Sequence, residues 1–148
     1  MNPLPPHEMI EASAGSGKTF ALTSRLIRLL ASGVPPARLI ALTFSRKAAG
    51  EMFDTLIQRL AQGAQQADDA ARLGREVGLP GLTRDRIGAV LRSVIAEMHV
   101  SPIGTLDSFY VRVLRAFPFE FGLSGPFDIM DGPVFEAART AMFRDLLQ

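Results

Sequence analysis

The sequence predicts an α/β domain in which a parallel sheet is flanked by helices. Short apolar runs that suit buried strands alternate with longer stretches in which apolar residues recur every three or four positions, as on one face of a helix. The order over residues 1–61 is strand, loop, helix, strand, helix, which is a βαβ unit with a right-handed crossover. A length of 148 residues, 47% of them hydrophobic and 21% charged, suits a globular domain with its own core.

The first strand and the first helix flank a loop of small residues. Residues 9–12, "MIEA", are predicted to form a short buried strand. Residues 18–32 are predicted to form a helix, because the leucines fall on one stripe and Gly33 supplies a C-terminal stop. The loop therefore connects the end of a strand to the start of a helix.

A second strand and a second helix follow the break "GVPPAR". The continuous apolar run "LIALTF", residues 39–44, is typical of a buried strand in a parallel sheet. Ser45 is expected to cap a helix over residues 46–61. Residues 64–78 are predicted to form a weaker, polar helix that is an insertion rather than part of the core.

The second half of the chain is predicted to add two helices around a third short strand, and a last helix after an aromatic loop. Thr83 is expected to cap the first of these helices, "VSPIGTL" is predicted to be the strand, and residues 107–117 the helix that follows it. The last helix is predicted over residues 133–148, with Asp131 near its cap. The apolar residues expected to face inward are Ile87, Val90, Leu91, Val94, Ile95 and Met98 after Thr83, and Val134, Phe135, Ala138, Met142 and Leu146 in the last helix.

Composition excludes several kinds of site. The sequence holds no Cys, which excludes disulfides and cysteine nucleophiles, and its two His are too far apart in sequence to favour a zinc site. It shows neither a membrane-length apolar run nor a signal peptide, so the expected location is the cytoplasm, with no membrane partner. Residues 1–60 carry seven Lys/Arg against four Asp/Glu, which predicts any polyanion site in the first half. The chain has 14 Arg but only two Lys, Lys18 and Lys47, and both fall within motifs.

The loop after the first strand matches the template of a phosphate-binding loop, G-x-x-x-x-G-K-[ST], with Ala in place of the first Gly. Small residues let successive backbone N–H groups curl around phosphate oxygens, and the helix N-terminus adds partial positive charge. Lys18 is expected to reach the β- and γ-phosphates of ATP, and the Thr19 hydroxyl to ligate Mg²⁺. The predicted nucleotide-binding residues are Ala12, Ser13, Ala14, Gly15, Ser16, Gly17, Lys18 and Thr19.

Three segments of the sequence together resemble one family. "IEASAGSGKTF" resembles the phosphate loop of the UvrD-like superfamily 1 DNA helicases, closest to that of the RecB/AddA (exodeoxyribonuclease V beta-type) branch. "LIALTFSRKAAGEM" is similar to the second motif of that family, and "IGTLDSFYVRVLR" to the third. "FDIMDGPVFEAARTAMFRDLL" looks like the point where such a chain enters an inserted helical subdomain. The resemblance covers most of residues 9–148 and is weakest over residues 62–85.

The resemblance implies the N-terminal part of an ATP-dependent helicase that moves along single-stranded DNA in recombinational repair, with nuclease or helicase partner subunits. It implies a P-loop NTPase (RecA-like) fold that is incomplete in this chain. Residues 1–118 would be the first part of the motor domain, with 62–98 as a helical insertion, and residues 119–148 the start of the helical subdomain. The second and third motifs line the DNA path in the family, which implies DNA contacts for Thr43, Phe44, Ser45, Arg46, Lys47, Thr105, Asp107, Ser108 and Phe109.

Three of these residues have a second interpretation that the sequence leaves open. Phe44 and Phe109 suit a core position as well as stacking on a base. Asp107 stands where the family usually has His, and a carboxylate repels phosphate, so this residue is also a candidate helix N-cap, or a Mg²⁺ ligand at the end of a Walker B-like strand. Adenine specificity has no support, because residues 1–11 lack the Gln through which many relatives read adenine.

The catalytic residues of the family are expected to lie beyond Gln148. They are an Asp-Glu pair that holds Mg²⁺ and activates water, and the arginines of a second motor domain. The expectation for these 148 residues alone is therefore weak nucleotide binding and negligible hydrolysis. Two other functions stay open at this point: a small self-contained P-loop phosphotransferase or kinase, and a non-catalytic remnant that binds nucleotide.

Overall fold

The computed structural model describes residues 7–10, 17–100, 103–125, 127–130 and 132–147. The chain divides into two compact units, Met1–Phe109 and Tyr110–Gln148. In chain order, the helices and strands are α1 (Lys18–Ala31), β1 (Ala41–Thr43), α2 (Arg46–Gly63), α3 (Ala67–Glu76), α4 (Arg84–Ala96), β2 (Ile103–Thr105), α5 (Leu106–Ala116) and α6 (Gly132–Leu146), with short 3₁₀ turns at Pro36–Arg38, Met98–Val100 and Phe119–Phe121.

Local capping chemistry fixes where several helices begin and end, as the sequence predicts. The Ser45 hydroxyl accepts a hydrogen bond from the Ala48 N–H at 3.1 Å and starts α2. The Thr83 hydroxyl accepts one from the Arg86 N–H at 3.3 Å and starts α4. After α1, the chain turns at Gly33, whose φ of 98° is a left-handed conformation that favours glycine.

Two parallel strands form the sheet in the described part of the chain. Ala41, Leu42 and Thr43 of β1 pair with Ile103, Gly104 and Thr105 of β2, and α2 packs against both strands. The opposite face of β1 carries apolar side chains that nothing described covers, because Ile40 is 60% exposed and Phe44 92%. The prediction that residues 39–44 form a fully buried strand is therefore wrong for one face of that strand.

The predicted strand over residues 9–12 lies partly outside the described residues. Met9 and Ile10 have no strand conformation, and Met9 is exposed. The prediction is wrong for these two residues, since neither pairs with β1 or β2. The remaining two residues, 11 and 12, fall outside the described residues.

The core of the first unit surrounds α2, which packs against α1, α3, α4 and β2. Helix α3 belongs to this core, so the prediction that it stays outside is wrong: Ala70, Leu73 and Val77 recur at helical spacing and are buried despite the polar composition around them. In the stripe predicted after Thr83, Ile95 of α4 and Met98 of the 3₁₀ turn that follows are about half exposed, whereas Ile87, Val90 and Val94 are buried. The buried apolar residues are Leu26, Ile27, Leu30, Leu39, Met52, Leu56, Leu60, Ala70, Leu73, Val77, Leu82, Ile87, Val90, Val94 and Ile103.

The second unit has no comparable core among its described residues. Helix α6 buries none of its residues, and its predicted inward stripe is exposed, with Val134 at 53% and Leu146 at 72%. The inward prediction is therefore wrong for this helix, since none of its residues is buried. Asp131, the predicted cap, lies outside the described residues.

Candidate functional site

The predicted phosphate-binding loop joins α1 through a glycine. Gly17 is the N-cap residue of α1, with φ 85° and ψ 14°, a left-handed conformation that L-residues with a side chain rarely adopt. A Cβ built on Gly17 would meet no atom of the described residues within 4 Å, so the backbone angle is the visible reason for the glycine. No side chain caps the helix at this residue. The predicted residues Ala12, Ser13, Ala14, Gly15 and Ser16 lie outside the described residues.

The first turn of α1 presents the donors that a phosphate requires. Lys18 and Thr19 are exposed, and the turn carries no acidic residue. The first N–H groups of any helix lack intrahelical acceptors, so they add to an ammonium and a hydroxyl here. This donor set fits the phosphates of ATP. It fits Mg²⁺ less completely, because Thr19 is one oxygen and no cluster of three or more acidic or His side chains exists in the described ranges.

An arginine from α2 holds the beginning of α1. The Arg59 guanidinium lies 4.0 Å above the Phe20 ring and donates hydrogen bonds to the Phe20 carbonyl oxygen at 3.3 Å, Thr23 Oγ1 at 3.0 Å and Ser24 Oγ at 2.9 Å. The Nη2 atom of Arg59 pairs with Glu76 Oε2 at 2.9 Å. The sequence did not predict this cluster, because nothing in a single arginine within an amphipathic helix indicates partners in two other helices.

The second group of predicted residues lies at the carboxyl edge of the strand pair. The parallel register places Thr43 opposite Thr105, so the loops that follow β1 and β2 leave the sheet side by side. Ligands of open α/β sheets bind at this edge. The structure therefore brings together the two segments from which the DNA-binding residues were predicted.

Several polar groups at this edge already have partners within the chain. The Thr43 hydroxyl donates to the Ser45 carbonyl oxygen at 2.9 Å, and Ser45 Oγ accepts from the Ala48 N–H. The Ser108 hydroxyl donates to the Thr105 carbonyl oxygen at 2.7 Å, and the Thr105 hydroxyl accepts from the Ser108 N–H at 3.2 Å. These hydroxyls position the loops: those of Thr43 and Ser108 use their protons within the chain, whereas those of Ser45 and Thr105 act as acceptors.

Aromatic and basic groups at the same edge face solvent. Phe44 is 92% exposed, which excludes its core interpretation, and Phe109 is half-buried rather than a core residue. Arg46 is exposed, and Lys47 pairs loosely with Glu51, with 3.8 Å between Nζ and Oε1. The edge therefore offers one ring and two cations to a polyanion.

Asp107 does not cap a helix. Helix α5 begins at Leu106, one residue earlier than predicted, and the Thr105 hydroxyl accepts the first-turn N–H of Ser108. The N-cap interpretation of Asp107 is therefore wrong, since a threonine two residues upstream takes that role. Asp107 is exposed within the first turn, where a carboxylate suits the helix dipole.

The two groups of residues lie along different parts of α2. The strand-edge residues precede and begin α2 at Arg46, whereas the first turn of α1 contacts α2 at Arg59, thirteen residues later. Thirteen helical residues span about 20 Å. The structure thus brings the two predicted DNA-binding segments together at the strand edge, whereas the start of α1, with Lys18 and Thr19, meets α2 at Arg59.

Membrane insertion finds no support within the described ranges: none of their helices combines the length and the apolar character that crossing a bilayer requires.

Comparisons with known proteins agree with the motif order. The chain matches the family model described as UvrD/REP helicase N-terminal domain over residues 2–146. It is 33% identical over 122 residues to a Streptococcus thermophilus protein that is named as one subunit of an ATP-dependent helicase/nuclease, covering 82% of this chain and 9% of that relative. Proteins of the same name from Streptococcus sanguinis and Lactobacillus gasseri are 34% and 29% identical over the same shares of each chain.

The chain spans about 9% of the length of the curated relatives that it matches. No solved structure matches it significantly. The glycine-capped helix with Lys18 and Thr19, the strand edge and the family match over residues 2–146 agree with one another. The chain belongs to the family of UvrD/REP helicase N-terminal domains.

Proposed function

We propose that this chain is the ATP-binding N-terminal part of a cytoplasmic, ATP-dependent DNA helicase that moves along single-stranded DNA in recombinational repair. The relatives are named as one subunit of an ATP-dependent helicase/nuclease, and this name supports an associated nuclease and a further subunit for the whole protein. In this proposal the first unit is part of a P-loop NTPase (RecA-like) motor domain, and the second begins an inserted helical subdomain.

One observation carries the proposal: the start of α1. Gly17 is the N-cap residue and adopts a left-handed conformation; as a glycine it has no side chain that could cap the helix. Lys18 and Thr19 follow in the exposed first turn. A helix start of this kind binds anions through its N–H groups, and a lysine there adds a full charge. No acidic side chain in that turn opposes a phosphate.

The proposed roles of the residues follow from the motif. Lys18 would bind the β- and γ-phosphates, and the remaining residues of the motif would offer their backbone N–H groups to the same phosphates. Thr19 would supply one oxygen ligand to Mg²⁺, and the ion would supply positive charge against the phosphates. The described residues hold no cluster of three or more acidic or His side chains that could complete the metal site, so we expect the 148-residue chain to bind nucleotide weakly and to hydrolyse it negligibly.

The strand edge is the proposed path of single-stranded DNA. Phe44 offers a ring for stacking on a base, and Arg46 and Lys47 offer charges to the backbone. Thr43, Ser45, Thr105 and Ser108 contribute hydroxyl oxygens and shape the loops, with Asp107 beside them; these five residues complete the proposed surface.

The two lysines give a matched pair of variants that tests both halves of the proposal. We expect Lys18→Ala to weaken binding of a fluorescent, non-hydrolysable ATP analogue with Mg²⁺ by about tenfold or more, because a charge-assisted contact is lost. We expect Lys47→Ala to leave nucleotide binding unchanged and to weaken binding of a labelled oligothymidylate, measured by anisotropy. Each variant is the control for the other.

Three results decide between this proposal and its alternatives. Wild-type chain that binds no nucleotide contradicts the assignment of the phosphate loop. Nucleotide binding without any DNA binding contradicts the helicase assignment and favours a phosphotransferase or a nucleotide-binding remnant. Turnover of ATP by the 148-residue chain contradicts the expectation that this chain alone hydrolyses ATP negligibly.

A further inference from the structure

The guanidinium of Arg59 concentrates its contacts on the beginning of α1. Its Nη1 atom donates to three oxygens, those of the Phe20 carbonyl, the Thr23 hydroxyl and the Ser24 hydroxyl, between 2.9 and 3.3 Å away. The Phe20 ring lies below the guanidinium plane at 4.0 Å. These contacts all fall within two turns of Lys18, and none reaches the other end of α1.

A buried hydroxyl extends this contact to the phosphate-binding turn itself. Thr23 is 0% exposed, and while Oγ1 accepts a hydrogen bond from Arg59, it donates to the Thr19 carbonyl oxygen at 2.9 Å. The hydroxyl also lies 3.0 Å from the Phe20 carbonyl oxygen. A hydrogen bond to the Thr19 carbonyl restrains the peptide plane that carries the proposed Mg²⁺ ligand.

The guanidinium is itself held from a third helix. Glu76, at the end of α3, accepts from Arg59 Nη2 at 2.9 Å, and the Arg59 side chain is only 11% exposed. A largely buried, forked cation with partners on both sides has little freedom of orientation. The result is a chain of contacts from Glu76 through Arg59 and Thr23 to Thr19.

We propose that Arg59 is a positioning residue for the nucleotide site: it fixes the first turn of α1 so that the ligands of the phosphates and Mg²⁺ keep one orientation. The proposal rests on the proposed function, since it concerns the same loop. The start of α1 gains from such support because its N-cap residue, Gly17, has no side chain to cap it. Arg59 acts through Thr23 and Phe20 and does not itself touch the nucleotide.

Arg86 provides a matched control at the opposite end of α1. Its Nε and Nη2 atoms donate to the Ala31 carbonyl oxygen at 3.3 and 3.2 Å, so this guanidinium holds the C-terminal end of the same helix. An arginine that only stabilises α1 would serve equally well from either end. The positioning role predicts that only the arginine beside Lys18 and Thr19 affects nucleotide affinity.

The experiment compares Arg59→Met and Arg86→Met in the 148-residue chain, with affinity for the fluorescent ATP analogue and thermal unfolding measured on each. We expect Arg59→Met to weaken nucleotide binding by about tenfold and Arg86→Met by less than about twofold, after correction for the folded fraction at the assay temperature. Lys18→Ala, measured in parallel, reports whether the phosphate loop binds nucleotide at all.

Variants of Thr23 test the route of the effect and remain informative where Arg59→Met fails to fold. We expect Thr23→Val, which keeps the shape and removes the hydroxyl, to weaken binding by about fivefold, and Thr23→Ser to restore it. In a double-mutant cycle, Arg59→Met and Thr23→Val should be non-additive, because both remove the hydrogen bond between Arg59 and Thr23, through which Arg59 acts on Thr19.

The possible failures are distinguishable. If the wild-type chain binds no nucleotide, the proposed function and this inference both fall. If the wild type binds and Lys18→Ala does not, but Arg59→Met binds as the wild type does, only the inference is overturned. Equal losses in Arg59→Met and Arg86→Met, or loss in Thr23→Ser equal to that in Thr23→Val, also overturn it.

Discussion

A methyl group added at Gly74 provides a sharp test of the packing around α3. A Cβ built on Gly74 would lie 2.6 Å from the Leu79 carbonyl oxygen and 3.2 Å from Leu82 Cβ, whereas ordinary contact begins near 3.4 Å. The Leu79 carbonyl also accepts the Leu82 N–H at 3.0 Å, and the Leu79 N–H donates to the Gly74 carbonyl at 2.7 Å. Relief of the clash must therefore move the backbone of the turn between α3 and α4.

The expected magnitude follows from two opposing effects. Replacing Gly with Ala inside a helix gains up to about 1 kcal/mol of helix propensity. Overpacking against a part of the structure that resists movement costs about 1–3 kcal/mol, and displacing the hydrogen-bonded turn adds about 1 kcal/mol. We expect Gly74→Ala to lower the free energy of unfolding by about 2 kcal/mol, which corresponds to about 4–8 °C in melting temperature for a chain of this size.

Gly88→Ala is the matched control, because Gly88 lies within α4 and its Cβ would meet only Arg92 Nη1, at 3.5 Å. We expect this variant to raise the melting temperature by about 2 °C, since it gains helix propensity without a clash. Thermal unfolding followed by far-ultraviolet circular dichroism measures both. A Gly74→Ala chain as stable as Gly88→Ala would refute the packing of α3 described above.

Variants of Ser45, of Phe44, and of Arg46 together with Lys47 test the strand edge. Ser45→Ala should lower the free energy of unfolding by about 1 kcal/mol, measured by urea titration, because the Ala48 N–H loses its cap; Ser45→Asp should retain most of it. Phe44→Ala should weaken oligothymidylate binding by about tenfold at unchanged melting temperature, since the ring is 92% exposed, and a loss of stability instead would contradict that exposure. Replacing both Arg46 and Lys47 with Gln should reduce the magnitude of the slope of log affinity against log salt concentration by about one to two. An unchanged slope would show that neither cation contacts the DNA.

The sequence predicts those parts of the fold that depend on neighbouring residues. The caps at Ser45 and Thr83 and the stop at Gly33 are local, and each is confirmed. The capping role assigned to Asp107 is wrong because the strand ends at Thr105, whose hydroxyl reaches the same helix start first.

Predictions that depend on distant partners succeed less often. Helix α3 is buried because Leu73 meets surfaces supplied by α2 and α4, which its own polar composition does not indicate. Helix α6 also carries recurring apolar residues, but it buries none of them. In the candidate site, Lys18 and Thr19 are apparent from the motif, whereas Arg59 is not, since its partners lie 17 to 39 residues away along the chain.

The near-absence of lysine makes the folded chain an unusually simple chemical reporter. Lys18 and Lys47 are both exposed, the Lys47 side chain at 85%, and apart from the terminal amine they are the only primary amines in the sequence. An amine-reactive label followed by mass spectrometry therefore yields a readout of two positions, one at each proposed site. Nucleotide should shield Lys18, and single-stranded DNA should shield Lys47, without any substitution in the protein.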